Sequence, residues 1–372
     1  MTSIEWVPLH RPVAWGKEVE YVTEAIRSGS PASGPFVERF EHALAERLKV
    51  EHVVAVSSGT AALHLALLAL GVGPGVEVLV PDLTFAATAN AVRLCGATPV
   101  FIDVEPEYWQ MDPVRVEEYL ARNRHSDNEF SPVLLPVELL GHPCQRRRLE
   151  DVASSYELEY VEDRAESLGT EVQDDMGIYL ACFSFNGNKV ITAGGGGAIA
   201  TCVHEFDEVV RQLRDQGKDP QDPSGHRAVG YNYRMPNMMA ALGLAQLEHL
   251  DEILKKKWQL ANYYTRGLSG LKAVELPKVA PGVSPNWWLY SVLVPEEAMG
   301  ELLKAFAEAK IEVRRMFRPL SSLEAFENFP GGALVQSHRI YRRALCLPSG
   351  AGLSNGDRDR VLEVLWRELK RE

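Results

Sequence analysis

The sequence predicts an α/β protein with a large domain, in which a mostly parallel mixed sheet lies between helices, and a smaller C-terminal α/β domain. Short apolar runs without strict alternation recur through the first half of the chain, as strands buried on both faces require. Helical patterns separate these runs, and such alternation is typical of a largely parallel sheet. With 372 residues, the chain is long enough for both domains.

The elements can be placed in order along the first half of the chain. Residues 35–48 carry apolar side chains at helical spacing and predict a helix. The run HVVAV (52–56) predicts a strand, and a capped helix that ends at Gly71 follows it. The same alternation then predicts strands at 76–81, 98–104, 131–139 and 157–163, and a helix from about Phe85 to Leu94.

The pattern changes at about Pro236. Residues 237–268 form one long helical pattern that is expected to link two domains. Three later segments, 285–294, 300–313 and 355–372, predict the strand and helices of a smaller α/β unit. We therefore expect a large domain at 1–253 and a small C-terminal domain at 254–372.

Composition and charge disfavour several classes of function. The net charge of −12 argues against a nucleic acid partner, because binding to a phosphate backbone requires a basic face. No apolar run reaches membrane-spanning length, and the N-terminal residues lack a signal-peptide pattern, so we expect a cytoplasmic protein without a membrane partner. The histidines show no metal-ligand spacing, and five widely spaced cysteines predict free thiols rather than disulfides.

Two short polar stretches follow predicted strands. The stretch SSGT (57–60) opens a helix, where unpaired backbone N–H groups and the helix dipole favour an anion such as phosphate. The alternative is simple capping of the helix by serine or threonine. Asp163 lies at the carboxyl end of a parallel strand, where ligands bind in such sheets. The alternative is that Asp163 caps the next turn, with Glu166 completing a capping box.

A third stretch, CFSFNGNKVITAGGGG, places Lys189 between an apolar strand and four glycines. A buried lysine without a partner loses its proton readily, and the neutral amine can form a Schiff base with a carbonyl group. The alternative is an edge lysine whose head reaches solvent. A ligand site is favoured because the neighbouring residues are small and Gly194–Gly197 permits a close backbone approach.

The order SGT…D-x-x-E…SFxxxK followed by glycines resembles the fold-type I pyridoxal-phosphate enzymes. More narrowly, the chain resembles the sugar aminotransferases of the DegT/DnrJ/EryC1/StrS family. Matching stretches cover nearly the whole chain: SGPFVERFE, VAVSSGTAALHLAL, PDLTFAATANAV, PVFIDV, EDRAESLGT, FSFNGNKVITAGGGG, VGYNYRMPN and LPSG. Some members are dehydratases with histidine in place of the Schiff-base lysine. Because this chain has Lys189, the resemblance implies transamination.

The resemblance implies a role for each matching residue. Lys189 would form a Schiff base with pyridoxal 5′-phosphate (PLP) and later move a proton between the substrate carbon and the cofactor. Asp163 would pair with the pyridine nitrogen and keep it protonated, and Glu166 would lie near the ring hydroxyl. The other implied contacts are Ser58, Gly59, Thr60 and Ser184 at the phosphate, Phe85 on the ring face, and Asn232 at the neighbouring subunit's cofactor. The last contact requires a homodimer.

The resemblance also implies a substrate. The stretches SFNGNKVITAGGGG, LLGHPC and WQMDPVRVEEYL are most similar to members that aminate C4 of UDP-linked 4-keto-6-deoxy-N-acetylhexosamines, in bacillosamine and legionaminic acid routes. We therefore predict transfer of an amino group from L-glutamate to such a nucleotide sugar. Arg234, Arg314 and Arg318 are candidate substrate ligands. The alternatives are 3-amination of a dTDP-linked 3-keto-6-deoxy sugar, and a non-catalytic PLP-binding regulator on the same fold.

Four residues depart from the family pattern. Arg164 replaces the usual alanine of D-A-A-E, and Glu138 occupies a position that histidine or aspartate often holds. Arg315 replaces a proline and Ser321 replaces a histidine in a segment that normally helps to hold the nucleotide sugar. These departures therefore concern the identity of the sugar rather than the cofactor chemistry.

Overall fold

A computed structural model describes residues 5–123, 131–173, 177–222 and 224–370. Its helices are α1 (Glu18–Arg27), α2 (Pro35–Leu48), α3 (Gly59–Ala69), α4 (Ala87–Leu94), α5 (Pro113–Asn123), α6 (Arg146–Ser155), α7 (His204–Arg214), α8 (Asn237–Leu247), α9 (Leu250–Leu268), α10 (Met299–Glu308), α11 (Val335–Arg343) and α12 (Asn355–Leu369). Its strands are β1 (His52–Val56), β2 (Glu77–Pro81), β3 (Thr98–Ile102), β4 (Val133–Leu134), β5 (Glu159–Tyr160), β6 (Glu162–Asp163), β7 (Glu171–Val172), β8 (Leu180–Ser184), β9 (Gly197–Thr201), β10 (Val283–Ser284), β11 (Ser291–Leu293), β12 (Arg314–Arg315) and β13 (Ala344–Cys346).

Two adjacent four-stranded sheets form the large α/β layer. The first has the strand order β3-β2-β4-β5, and all of its pairs are parallel. The second has the order β1-β9-β8-β6, in which β9 is antiparallel to both neighbours and β6 is parallel to β8. A bridge between Val137 and Asp163 links the two sheets. The predicted mostly parallel mixed sheet between helices is therefore confirmed.

The strand that carries Asp163 differs from its prediction. The expected single strand at 157–163 is two strands, because β5 pairs with β4 whereas β6 pairs with β8 in the other sheet. The expected strand at 131–139 shortens to β4, because Pro136 has no N–H to donate to a ladder. This change of sheet brings Asp163 to the junction between the two sheets.

Helix α3 is the most deeply buried element beside the second sheet. Its residues Ala61 to Leu67 are all buried, because the helix packs on β8 and β9 on one side and on α4 and α7 on the other. A helix that is apolar all round requires such an enclosed position. The N-terminus of α3 is consequently held at the ends of β8 and β9, beside Asp163 on β6.

The C-terminal region builds its own core. The strands β11, β13 and β12 form an antiparallel sheet, and α9, α10 and α12 contribute to a separate apolar cluster against it. The single helix expected at 237–268 is wrong, because His249 leaves the helical region with φ −109° and ψ 13°. The predicted division at residues 253 and 254 falls within α9, and the domain limits stay a prediction.

Four charged side chains form a buried network behind β6. Arg146 Nε lies 2.7 Å from Glu138 Oε1 and 3.6 Å from Glu162 Oε1. Arg164 Nη2 lies 2.6 Å from Glu162 Oε2. All four side chains are at most 7% exposed, so two guanidinium groups balance two carboxylates away from solvent. Two of the departures from the family pattern, Arg164 and Glu138, therefore belong to one neutral network that flanks Asp163.

Replacing Arg164 with alanine, the residue usual in the family, is expected to destabilise the protein. Glu162 would stay buried after losing a cation at 2.6 Å. Removal of one partner from a buried pair typically lowers the free energy of unfolding by about 3–5 kcal/mol. Urea denaturation measures this loss. R115A is the matched control, because Arg115 pairs with Glu118 at an exposed site, where a loss below about 1 kcal/mol is expected. Equal losses in the two variants would contradict the role of the network.

Candidate active site

A cavity of about 330 Å³ lies beside the N-terminus of α3 and the end of β6. Eight of the nine predicted cofactor residues line it: Ser58, Gly59, Thr60, Phe85, Asp163, Glu166, Ser184 and Lys189. Arg314 also lines the cavity, and Asn232, Arg234 and Arg318 do not. Residues that lie far apart in the sequence therefore meet at one site.

The start of α3 forms the end of the cavity suited to an anion. Ser58 caps the helix, because its side chain accepts a hydrogen bond from the backbone N–H of Ala61 at 3.0 Å. The capping alternative for this serine is therefore correct, and it leaves the positive end of the helix dipole at the cavity wall. A Cβ atom on Gly59 would lie 2.8 Å from Ser184 Cβ, so glycine is needed for this close approach. Gly59, Thr60 and Ser184 together offer an anion site.

The glycine run brings the start of β9 against the start of α3. The backbone N–H of Gly196 donates to the carbonyl oxygen of Ser57 at 3.1 Å. Gly196 has φ +100°, a conformation that glycine adopts at little cost. A Cβ atom on Gly197 would lie 2.5 Å from the carbonyl oxygen of Ser58 and 2.7 Å from the nitrogen of Gly59. The close backbone approach is to the helix that opens the anion site, and the expected approach to a ligand or another subunit stays a prediction.

Asp163 is 4% exposed and oriented by two hydrogen bonds. Thr88 Oγ1 donates to Asp163 Oδ2 at 2.8 Å, and the backbone N–H of Ala165 donates to Oδ1 at 3.1 Å. Burial raises the pKa of Asp163 to about 6, while these hydrogen bonds and the positive charge of Lys189 act in the opposite direction. The carboxylate is thus mostly ionised at neutral pH and retains acceptor capacity at the cavity.

Lys189 lies in the cavity wall with only 14% of its side chain exposed, which excludes the alternative of a surface lysine. Its Nζ atom is 3.4 Å from Glu166 Oε1 and 4.1 Å from the centroid of the Trp288 ring. The second carboxylate oxygen of Glu166 accepts a hydrogen bond from the backbone N–H of Leu140 at 2.8 Å. The amine therefore has a carboxylate partner, unlike the partnerless lysine considered from sequence.

Aromatic rings and one guanidinium group form the remaining wall. Phe85 is 58% exposed, and its ring centroid lies 5.7 Å from that of Phe317. The guanidinium carbon of Arg314 lies 4.7 Å from the centroid of Phe317 and 5.7 Å from that of Trp288. Its Nε and Nη2 atoms are buried without a hydrogen-bond partner among the described residues. The cavity thus contains a cation that no described carboxylate pairs with.

Three predicted residues lie outside the cavity. Arg234 Nε pairs with Asp215 Oδ1 at 3.3 Å, and Arg318 Nε donates to Ser322 Oγ at 3.1 Å. These two placements do not support a substrate contact within this chain. Asn232 is exposed and bridges Asp215 through its backbone. The prediction for Asn232 concerns a neighbouring subunit, so the single chain leaves it a prediction.

Two residues at the site were missed from sequence. Thr88 lies 75 residues before Asp163, and no local pattern links a threonine on a helix to a distant aspartate. Trp288 lies in the stretch PNWWLY, whose apolar character predicted only a strand. The expected free thiols are found at all five cysteines, and no group of metal ligands occurs among the residues that the structure describes. Within the same residues, no helix combines the length and apolar character needed to cross a membrane.

The sequence model of the DegT/DnrJ/EryC1/StrS aminotransferase family matches residues 14–366. The chain belongs to this family. It is 35% identical over 361 residues to the GDP-perosamine synthase of Escherichia coli O157:H7, with 95% of each chain covered. It is also 34% identical over 356 residues to the dTDP-3-amino-3,4,6-trideoxy-alpha-D-glucose transaminase of Streptomyces venezuelae, covering 93% of this chain and 91% of the relative.

Solved structures agree with this assignment. An aminotransferase of the same family from Brucella abortus has a TM-score of 0.90 and 29% identity, with 95% of each chain covered. The NtdA protein of Bacillus subtilis, solved with bound cofactor PMP, has a TM-score of 0.86 and 28% identity, covering 96% of this chain and 83% of that one. The protein is therefore a fold-type I, PLP-dependent sugar aminotransferase.

Replacing Asp163 with asparagine is expected to remove a pH-dependent loss of stability from the cofactor-free protein. The folded state keeps the proton up to a pKa of about 6, whereas the unfolded state loses it near the ordinary value of 3.8. Asp163 by itself therefore contributes a loss of about 3 kcal/mol in the stability of the wild type as pH rises from about 4 to 6. Asparagine does not titrate and can bond to both Thr88 and Ala165.

Urea denaturation of cofactor-free protein across this pH range provides the measurement. D251N is the control, because Asp251 has 89% of its side chain exposed. We expect D251N to follow the wild-type decline and D163N to lack it, while D163N also binds PLP more weakly. The same decline in all three proteins would show that Asp163 does not titrate in this range.

Proposed function

We propose that the enzyme transfers the amino group of L-glutamate to the C4 keto carbon of a nucleotide-linked 4-keto-6-deoxy sugar, with UDP as the nucleotide. One observation supports amino-group transfer: Lys189, Glu166 and Asp163 all line one cavity beside the N-terminus of α3. The choice of C4 and UDP rests on the resemblance, drawn from the sequence alone, of the stretch SFNGNKVITAGGGG to UDP-sugar 4-aminotransferases.

The described residues fit PLP in position and in charge. Gly59, Thr60 and Ser184, with Ser58 at the helix cap, are suited to the phosphate at the positive end of α3. When bound, the cofactor supplies an electron sink for negative charge at the substrate carbon. We assign Asp163 to the pyridine nitrogen, because its buried carboxylate can accept a hydrogen bond from a ring N–H and so favour the protonated ring. Thr88 and Ala165 keep the carboxylate in one orientation.

Lys189 is assigned to the covalent attachment of the cofactor and to proton transfer. Its amine can take a proton from the substrate carbon in the first half-reaction and return one in the second. Glu166, at 3.4 Å, orients the amine and is itself held by the backbone N–H of Leu140. Trp288 covers the amine on another side and limits access of water. Phe85 remains the candidate for stacking on the cofactor ring.

Arg314 is assigned to an anionic group of the substrates. Its guanidinium group lines the cavity, and two of its nitrogens are buried without partners. A carboxylate supplies the planar pair of acceptors that such a group binds best. L-Glutamate, with two carboxylates, fits this requirement as the amino donor. Arg234 and Arg318 have no assignment within one subunit, because they lie outside the cavity.

A homodimer is proposed from the segment that carries Asn232. Val229 is 87% exposed three residues before Asn232, so an apolar side chain and the predicted cofactor ligand lie on the same exposed segment. The backbones of Gly217 and Gly230 lie so close that neither position has room for a Cβ atom. A second copy of the chain would cover this segment and receive Asn232 at its phosphate site. The five free thiols further support a cytoplasmic location, where disulfides are rare.

The alternative substrates are separated by a panel of keto sugars. The similarity to a dTDP-3-amino sugar transaminase favours 3-amination of a dTDP-linked 3-keto-6-deoxy sugar as the second candidate. The similarity to GDP-perosamine synthase adds GDP as a nucleotide to test. UDP-, GDP- and dTDP-linked 4-keto sugars and the dTDP-linked 3-keto sugar are compared by glutamate-dependent formation of 2-oxoglutarate. Amination of none of them would contradict the choice of a nucleotide-linked keto sugar as the acceptor; the alternative of a non-catalytic regulator is set aside, because the chain belongs to an aminotransferase family.

Replacing Lys189 with alanine is expected to abolish transamination, because no other lysine lines the described cavity. Borohydride reduction of the wild type should attach PLP covalently to Lys189, as peptide mapping measures. K304A is the control, because Lys304 has 79% of its side chain exposed. Circular dichroism should show that K189A remains folded. Full glutamate-dependent activity in K189A, or a cofactor adduct on another residue, would refute the assignment.

Replacing Arg314 with methionine is expected to weaken L-glutamate binding. A hydrogen bond to a charged group contributes about 1.5–3 kcal/mol, so KM for glutamate should rise roughly 10- to 100-fold. The smaller expected change in kcat separates binding from chemistry. R339M is the control, because Arg339 is exposed and distant from the cavity lining. An unchanged KM for glutamate in R314M would show that Arg314 does not bind glutamate. Arg314 would then bind the sugar substrate or stabilise the fold.

A further inference from the structure

Lys257 is a buried lysine that the proposed chemistry does not use. It is 1% exposed, whereas Lys255 and Lys256 on the same helix are exposed. Burial of an ammonium group is unfavourable unless hydrogen bonds satisfy it. The apolar face of α9 would accept leucine or methionine at this position, so the amine itself needs an explanation.

The amine joins two segments that are distant in sequence. Lys257 Nζ donates to the carbonyl oxygen of Trp288 at 3.2 Å and to that of Ser349 at 2.7 Å. Trp288 precedes β11, and Ser349 follows β13. Burial first, and then the charges of Lys257 and Lys189, lower the pKa of His10. Both amines therefore lie near this one buried imidazole.

Trp288 is the physical link between the two lysines. Its ring centroid lies 4.1 Å from Lys189 Nζ, and its indole N–H donates to the carbonyl oxygen of Asn188 at 2.6 Å. The preceding residue, Trp287, has φ +53°, which is strained for a bulky side chain. Two hydrogen bonds oppose this strain: Asn286 Oδ1 accepts from the N–H of Trp288, and Lys257 donates to its carbonyl oxygen. Lys257 thus fixes the backbone from which the indole projects.

We propose that Lys257 is a positioning residue for Lys189, acting by holding the carbonyl group of Trp288 so that the indole stays against the amine. The inference rests on the proposed role of Lys189 in the reaction. An aromatic face favours a cationic amine beside it, and Glu166 at 3.4 Å acts in the same direction, so loss of the indole contact should make the amine of Lys189 more reactive. Burial lowers the pKa of Lys257 to about 7, and both its protonated and its neutral form can donate hydrogen bonds.

The test measures the reactivity of Lys189 directly. Cofactor-free protein is treated with formaldehyde and cyanoborohydride across a range of pH, and methylation of Lys189 is followed by peptide mapping. In K257M the profile should shift to lower pH, with the rate at mildly alkaline pH rising about threefold or more, because the indole no longer favours the cation. K256M, on the same helix but exposed, should follow the wild type.

A double-mutant cycle separates positioning from general loosening of the fold. W288L should produce the same shift as K257M, and K257M should add nothing in the W288L background, because the effect passes through the indole. Additive shifts, or a K257M profile that matches K256M, would overturn the proposal. If K257M does not fold, K257Q replaces it, since its side chain is one atom too short to reach the carbonyl oxygen of Trp288 as lysine does and should shift the profile in the same direction. An unchanged profile in K257Q would also overturn it.

This design distinguishes the inference from the proposed function. The methylation profile is measured without PLP, and the covalent adduct on Lys189 is measured by borohydride reduction of the loaded wild type. An adduct on Lys189 with an unchanged K257M profile would overturn the positioning role alone. A shifted profile without any adduct would overturn the proposed function and leave the positioning of Lys189 by Lys257 in place.

Discussion

The rest of this structure depends on one constraint: a buried charged side chain cannot be neutralised by ions from solvent. The buried carboxylates behind β6 need partners within the protein, because an unpaired charge in a low-dielectric interior is strongly unfavourable. Arg146 and Arg164 meet this requirement for Glu138 and Glu162. The strand that carries Asp163 is consequently fixed by charges behind it, while its own carboxylate is directed toward the cavity.

Some side chains at the cavity stabilise the folded state, and others lower its stability. Asp163 is buried with a raised pKa, so its ionised form lowers the stability of the folded state at neutral pH. Arg314 has buried Nε and Nη2 atoms without partners among the described residues, which is also unfavourable. Buried polar groups that are unfavourable for folding are typical of functional sites. The buried network of charged side chains behind β6 supplies stability that offsets these unfavourable groups.

The four departures from the family pattern differ in their structural roles. Arg164 and Glu138 lie in one neutral buried network and do not reach the cavity lining, so they change how β6 is supported rather than what the enzyme binds. Ser321 donates its backbone N–H to Asp82 Oδ1 at 2.8 Å, and its side chain is absent from the cavity lining. Arg315 lies over the ring of Tyr341 at 4.7 Å. These contacts therefore do not identify the sugar, which the panel of keto sugars tests directly.

The sequence by itself determined the alternation of strands and helices, the helix start at SSGT, and the candidates Asp163, Glu166 and Lys189, because local periodicity and ordered motifs record them. Tertiary structure alone decided the division of 157–163 between two sheets, the contacts of Thr88 with Asp163 and of Trp288 with Lys189, and the pairing of Arg164 with Glu162. The contacts of Thr88 and Trp288 join segments far apart in the chain, and Arg164 meets Glu162 where the chain leaves β6. Local patterns specify which face of an element is apolar, but not which distant polar group will meet a buried charge.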